Sequence, residues 1–127
     1  MQGTMMNTPL TLDRLVERAE TVLGHVEVVS RRADKSLHRT TYREVCVRAK
    51  RLARALVGAG IAKGDRVATL MWNHAPHLEA YFGIPVAGAV IHTLNLRLHP
   101  DDIAYIANDA GDRFLLVDEV LLPLFEK

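Results

Sequence analysis

A doubly wound α/β layer, with a mainly parallel sheet flanked by helices, is the fold predicted by three features of the sequence. Val67 to Trp72 is apolar at nearly every position, and a strand buried on both faces belongs in a parallel sheet. From there to Val117, apolar runs and helical patterns alternate as strand, helix, strand, helix, strand with short links, which requires right-handed crossovers. Thr41, followed three residues later by Glu44, has the form of a capping box ahead of a long amphipathic stretch, so a helix precedes the first of these strands.

Composition agrees with one globular unit. The 127 residues are 49% hydrophobic and 24% charged; a domain of this length removes about two thirds of its extended surface from water, and that apolar fraction predicts a globular chain, not a disordered one. Eight glycines and five prolines exclude collagen-like or linker composition. No apolar run reaches the roughly 18 residues a membrane span needs, and Met1 to Leu10 has neither the basic start nor the apolar core of a signal peptide, so a soluble cytoplasmic protein is expected. With Cys46 as the single cysteine, no internal disulfide and no cysteine-based zinc site is possible.

In chain order, a polar leader ends at Pro9. Leu12, Leu15, Val16, Ala19 and Leu23 then recur at spacings of three and four, predicting a helix with Thr11 as N-cap and Gly24 as stop. Val26 to Ser30 reads as a short strand, with Ser36 to Thr40 as its hairpin partner across Arg32-Ala33-Asp34-Lys35. In the helix after Thr41, Tyr42, Val45, Cys46, Ala49, Leu52, Ala53 and Leu56 make one apolar stripe, and Arg43, Arg48, Lys50, Arg51 and Arg54 fill the rest of the circumference. Gly58 and Gly60 end it. Lys63-Gly64-Asp65 is a turn, Asn73 is the expected cap of a helix over Pro76 to Ala87, and Val90 to Leu94 is the second parallel strand. Pro100 opens a helix through Asn108, and Arg113 to Val117 is the third strand. Leu121, Leu122, Leu124 and Phe125 begin another apolar segment. Together with the open edges of a three-stranded sheet, it sets the expectation that the chain is part of something larger.

The formal charge of +1 conceals an asymmetry. Residues 31–66 carry eleven basic against three acidic side chains, a net of +8, while residues 1–30 sum to −2 and residues 67–127 to −5. Clustered arginines neutralise phosphates, but the basic face lacks stacking aromatics, since Tyr42 lies on the apolar side. A solvated face that meets an acidic surface is therefore expected in preference to nucleic-acid binding. Gly58-Ala59-Gly60 ends a helix and is no phosphate loop. His74 and His77 lack a third metal ligand, because Glu79 is offset from their face; a solvated or locally hydrogen-bonded pair is expected. His92 reads as a satisfied core histidine, Cys46 as a small buried hydrophobe with a raised pKa, and Asp101 and Asp102 as carboxylates serving a helix start. No catalytic, cofactor-binding or metal-ligating residue is assigned. Because ligands approach the carboxyl ends of parallel strands, Trp72, Asn73, His74, Thr93 and Asn95 are the candidate rim of a site.

The ordered set Thr41-Tyr42-x-Glu44, Arg51-Leu52-Ala53-x-Ala55-Leu56, Gly60-Ile61-x-x-Gly64-Asp65-Arg66-Val67-Ala68 and Asn73 resembles the start of the AMP-forming acyl-CoA ligases of the adenylate-forming superfamily. His77-Leu78-Glu79-Ala80-Tyr81-Phe82, Gly88-Ala89-Val90, His92-Thr93-Leu94-Asn95, Ile103-x-Tyr105-Ile106 and the leader Gly3-Thr4-Met5-Met6 with Pro9-Leu10 resemble the bacterial medium- and long-chain fatty-acyl-CoA ligase branch. Many relatives have proline after the asparagine, where this chain has Leu96-Arg97-Leu98. The resemblance implies that residues 1–127 form the N-terminal part of the large lobe of a cytoplasmic homodimer. The full-length enzyme would join ATP, with Mg²⁺, to a fatty acid and pass the acyl group to coenzyme A. The phosphate loop, the adenine-binding segments and the mobile C-terminal domain of that family match nothing here, so this segment alone is expected to bind no cofactor and to be inactive. Two alternatives stand: another adenylating enzyme, such as an aryl-CoA ligase or a peptide-synthetase adenylation domain, and a free-standing interaction module that uses its basic helix.

Overall fold

The computed structural model describes residues 3, 4 and 6–126; Met5 of the leader and Lys127 lie outside the described residues, with Met1 and Gln2. The elements are α1 (Leu12–Thr21), β1 (Glu27–Arg31), β2 (Leu37–Thr41), α2 (Tyr42–Gly58), β3 (Arg66–Leu70), α3 (Ala75–Val86), β4 (Val90–Thr93), α4 (Pro100–Ala110), β5 (Phe114–Val117), a 3₁₀ turn at Glu119–Leu121 and α5 (Leu122–Phe125). β1 and β2 form an antiparallel hairpin, and β4, β3 and β5 lie in that order in a parallel sheet.

The central strand shows why the sheet is doubly wound. Val67 belongs to a core with Leu56, Ile61, Ala80 and Ile84 from the α2 and α3 side. Its neighbours in alternation, Ala68 and Leu70, belong to a second core with Leu94 and Ile103, joined by Leu121 and Leu124. Successive side chains of a strand point to opposite faces, so β3, apolar at nearly every position, is covered by α3 on one side and α4 on the other. The crossover through α3 leads to β4, and the one through α4 returns past β3 to β5. The reversal makes the gap between the carboxyl ends of β3 and β5 a topological switch point.

α2 forms as its sequence requires. The Thr41 hydroxyl accepts from the Glu44 N–H at 3.3 Å, and the Glu44 carboxylate accepts from the Thr41 N–H at 3.1 Å. Val45, Cys46, Ala49, Ala53 and Leu56 are buried along one stripe, and Gly60, with φ of 95°, turns the chain away in the left-handed region.

Several boundaries and roles differ from the sequence-based expectation. α1 ends at Thr21, and of its predicted stripe only Val16 is buried; Leu12, Leu15 and Leu23 are exposed. Thr11 occupies the N-cap position, but its side chain makes no capping bond. The hairpin is displaced by one residue at each strand, with Glu27 opposite Thr41. Its tight end is held by the Asp34 carboxylate, which accepts from the Ser36 N–H and hydroxyl. The expected cap at Asn73 is replaced by His74, whose Nδ1 accepts from the His77 N–H at 3.2 Å. The imidazole wins because its other nitrogen is simultaneously bonded to Asp118. His99 similarly occupies the N-cap position of α4, and Asp101 and Asp102 sit exposed in its first turn. β4 stops at Thr93, leaving Leu94 to fold into the α4-side core.

Candidate functional site

The switch point is built around one carboxylate. The Asp118 N–H donates to the Leu70 carbonyl at 3.1 Å, extending the β3–β5 ladder by one rung. Its side chain then accepts from the Trp72 N–H at 2.8 Å, while His74 Nε2 stands 2.9 Å from the carboxylate oxygens. Because His74 Nδ1 is already an acceptor from the His77 N–H, the ring proton sits on Nε2 and is donated to Asp118. Asp118 thus fixes the Trp72-Asn73-His74 turn and, through His74, the start of α3.

Beneath this turn the His77 ring is buried against Thr69, with Nε2 3.0 Å from the Thr69 hydroxyl, and lies 4.9 Å from the ring of Tyr81. Its Nδ1 has no partner among the described residues. Burial in this pocket holds its pKa below the ordinary value, so the ring stays neutral near pH 7. The two histidines are locally hydrogen-bonded, and His77 is buried where a solvated pair was the other expectation. Among the described residues no three histidine, cysteine, aspartate or glutamate side chains gather in a way that could hold a metal ion. His92 is half-buried, with Nδ1 2.8 Å from Asp112. Cys46 is fully buried, donates its thiol to the Val16 carbonyl, and has its pKa raised by burial first and by Glu20 second.

From the switch point a cleft of about 1360 Å³ runs along α2 to the β1–β2 hairpin. Trp72, Asn73, His74 and Asp118 line one end; arginines 31, 32, 39, 43, 48 and 51 line the remainder. Glu79 reaches it from α3 and is neutralised by Arg48, whose Nε is 2.6 Å from Oε1. Thr93 and Asn95 are not among the residues that line this cleft. Both are exposed, Thr93 as the last residue of β4 and Asn95 just beyond it, and the Asn95 side chain accepts from the Arg97 N–H. The predicted rim is therefore brought together in two groups on either side of β3. Asp118 was missed because its role depends on β5 lying beside β3; the available sequence signal was only its position just past an apolar strand.

Comparison with known proteins gives a consistent result. A family model described as AMP-binding enzyme matches residues 15–126. The long-chain-fatty-acid–CoA ligase of Thermus thermophilus is 54% identical over 124 residues, covering 98% of this chain and 23% of that protein. The medium-chain-fatty-acid–CoA ligase of Ectopseudomonas oleovorans is 41% identical over 124 residues, again 98% and 23%. The chain thus spans about a quarter of the length of these relatives. Among solved structures, a fatty acyl CoA synthetase of Mycobacterium tuberculosis superposes with a TM-score of 0.81 at 28% identity, covering 91% of this chain and 23% of the other.

Proposed function

The chain belongs to the AMP-binding enzyme family, and on that premise we propose that residues 1–127 form the N-terminal part of the large lobe of a fatty-acyl-CoA ligase. The observation that carries this reading is the 54% identity sustained across 98% of the chain with a long-chain fatty-acid ligase. Such an enzyme joins a fatty carboxylate to AMP from ATP with release of pyrophosphate, then transfers the acyl group to the thiol of coenzyme A.

In this reading the segment supports the site without performing the chemistry. Stabilising charge on a transferring phosphoryl group needs aimed donors or a metal. The described residues offer no glycine-rich phosphate loop and no metal-ligand cluster. Among the described residues no set fits a magnesium ion. Trp72, Asn73 and His74, clamped by Asp118, and Thr93 and Asn95 at the carboxyl end of β4 form the rim past which the reactants reach a site completed by other residues. The protein acts in the cytoplasm, where ATP and coenzyme A are available, and as a homodimer. It does not engage nucleic acid, because the acidic flanks oppose it and the basic helix offers no stacking aromatic.

The test is an assay of the complete gene product with ATP, Mg²⁺, coenzyme A and fatty acids of increasing chain length. Pyrophosphate and acyl-CoA are expected from it, and no pyrophosphate above buffer from the 127-residue chain. Turnover by the short chain in proportion to its concentration would overturn the structural role, and turnover only with aryl carboxylates would move the protein to another branch.

A further inference from the structure

We propose that the basic cleft between α2 and the β1–β2 hairpin docks an extended acidic segment of a partner polypeptide, carrying two carboxylates four residues apart with an apolar side chain midway. This goes beyond the ligase reading and does not depend on it.

Six arginines line the cleft against Glu44, Glu79, Asp118 and Glu119, and half of those arginines are uncommitted. Arg48 pairs with Glu79, Arg39 with Glu27, and Arg32 with the His38 ring. Arg31, Arg43 and Arg51 make no ion pair or side-chain hydrogen bond with the described residues, although they line the cleft. Of the acids in the lining, Glu79 is matched by Arg48, Glu44 accepts from the Thr40 hydroxyl and the Thr41 N–H, and Asp118 holds Trp72 and His74, while Glu119 sits beside Asp118 at the far end from Arg31 and the hairpin. Guanidinium groups present a planar fork suited to carboxylates and are shed from water more readily than ammonium groups.

Size and spacing select the class of ligand. At about 1360 Å³ the cleft exceeds the roughly 300–1,000 Å³ of small-molecule sites and suits a length of chain. Arg43, Val47 and Arg51 recur every four residues on α2, which places them in one row. The row is about 12 Å long at the helical rise of about 1.5 Å per residue. An extended chain advances about 3.3 Å per residue and turns alternate side chains to one face. Residues i and i+4 therefore stand about 13 Å apart on that face, opposite Arg43 and Arg51, and residue i+2 falls over Val47. Val47 and Trp72 are exposed apolar surfaces in the same cleft, and Arg31 offers a further cation at the hairpin end. A phosphate or pyrophosphate is too short to bridge the row, and a single aromatic, Trp72, gives successive bases nothing to stack on.

The test is fluorescence anisotropy of a fluorescein-labelled peptide containing Glu-Ser-Leu-Ser-Glu, titrated with the complete gene product and, in parallel, with the 127-residue chain. Binding to both is expected, with a marked fall in affinity as salt is raised. Arg43→Ala and Arg51→Ala should each weaken binding by about tenfold or more, the loss of one charge-assisted hydrogen-bonding partner. Arg54→Ala, on the same helix but outside the cleft, should leave binding unchanged and shows that the effect is not general to α2. Equal binding of a peptide with adjacent glutamates would overturn the proposed spacing. Displacement by pyrophosphate, or preferential binding to anionic lipid vesicles, would assign the cleft to another ligand. Binding to the short chain alone, with none to the complete product, would mean that the cleft is filled from within the same polypeptide.

Discussion

Asp118 lies 46 residues from Trp72, yet one carboxylate fixes the backbone after β3, the tautomer of His74 and the first turn of α3. The same local geometry buries His77, and a prediction follows from its chemistry. Thr69, Tyr81, the Trp72 backbone, His74 and Asp118 surround the ring, and desolvation, the largest influence, outweighs the opposing Trp72 backbone and holds the folded-state pKa below the usual 6.5. The unfolded chain therefore binds more protons than the folded one as pH falls below about 6.5. The stability that the neutral ring contributes is complete above that pH and is lost as pH falls toward the folded pKa. Urea midpoints measured from about pH 8 down to about pH 5 should decline more steeply for the parent than for His77→Gln; parallel curves would show that the histidine is not responsible. What was legible at this scale was what is local. Thr41 and Glu44 are three residues apart and announce their capping box. Asn73 was the natural local cap before α3, and it lost to His74 because Asp118 arrives from a strand that sequence order alone does not place beside β3.

At the scale of elements, the contact of α2 with α3 is set by a missing side chain. A Cβ built at Gly83 would lie 2.7 Å from the Ala49 carbonyl oxygen and 3.2 Å from Leu52 Cβ, so the helices approach to a distance that only glycine permits. Arg48 to Glu79 ties the same pair of helices from the outer side. Gly83→Ala gains up to about 1 kcal/mol of helix propensity but forces apart a backbone contact, and overpacking of that kind costs about 1–3 kcal/mol. Set against the full propensity gain, the net expectation is a loss of up to about 2 kcal/mol, read as a lower urea midpoint with an unchanged m-value. Gly58→Ala, where nothing lies within 4 Å, should be neutral or stabilising, and an equal loss at both positions would refute the close-approach argument. The order of strands and helices was readable because hydrophobic periodicity reports element type directly. The spatial order β4-β3-β5 was not, since periodicity says that a face is apolar and not what covers it. α1 shows the same limit: its stripe is real, yet Val16 alone is buried, against α2 through Cys46.

For the whole molecule, those uncovered surfaces determine its expected behaviour in solution. Leu12 and Leu15 on α1, and Val22 and Leu23 just beyond it, are each more than 40% exposed. Among the described residues, β4 and β5 each pair only with β3, leaving two parallel edges open. Monomers seldom expose a contiguous apolar face of more than a few hundred Å², and an open sheet edge invites further pairing. The near-zero total charge, +1, supplies little repulsion against association. Isologous two-fold pairing is the commonest outcome for a self-complementary surface, so the 127-residue chain should be dimeric or larger in light scattering coupled to size exclusion, with the average mass falling on dilution. Leu15→Glu places a charge on the exposed stripe at a position that is not buried in the fold, and should shift the equilibrium toward monomer with helix content retained. If that variant associates as its parent does, the sheet edges rather than α1 carry the contact, and a parent that is monomeric at high concentration would show that neither surface is used.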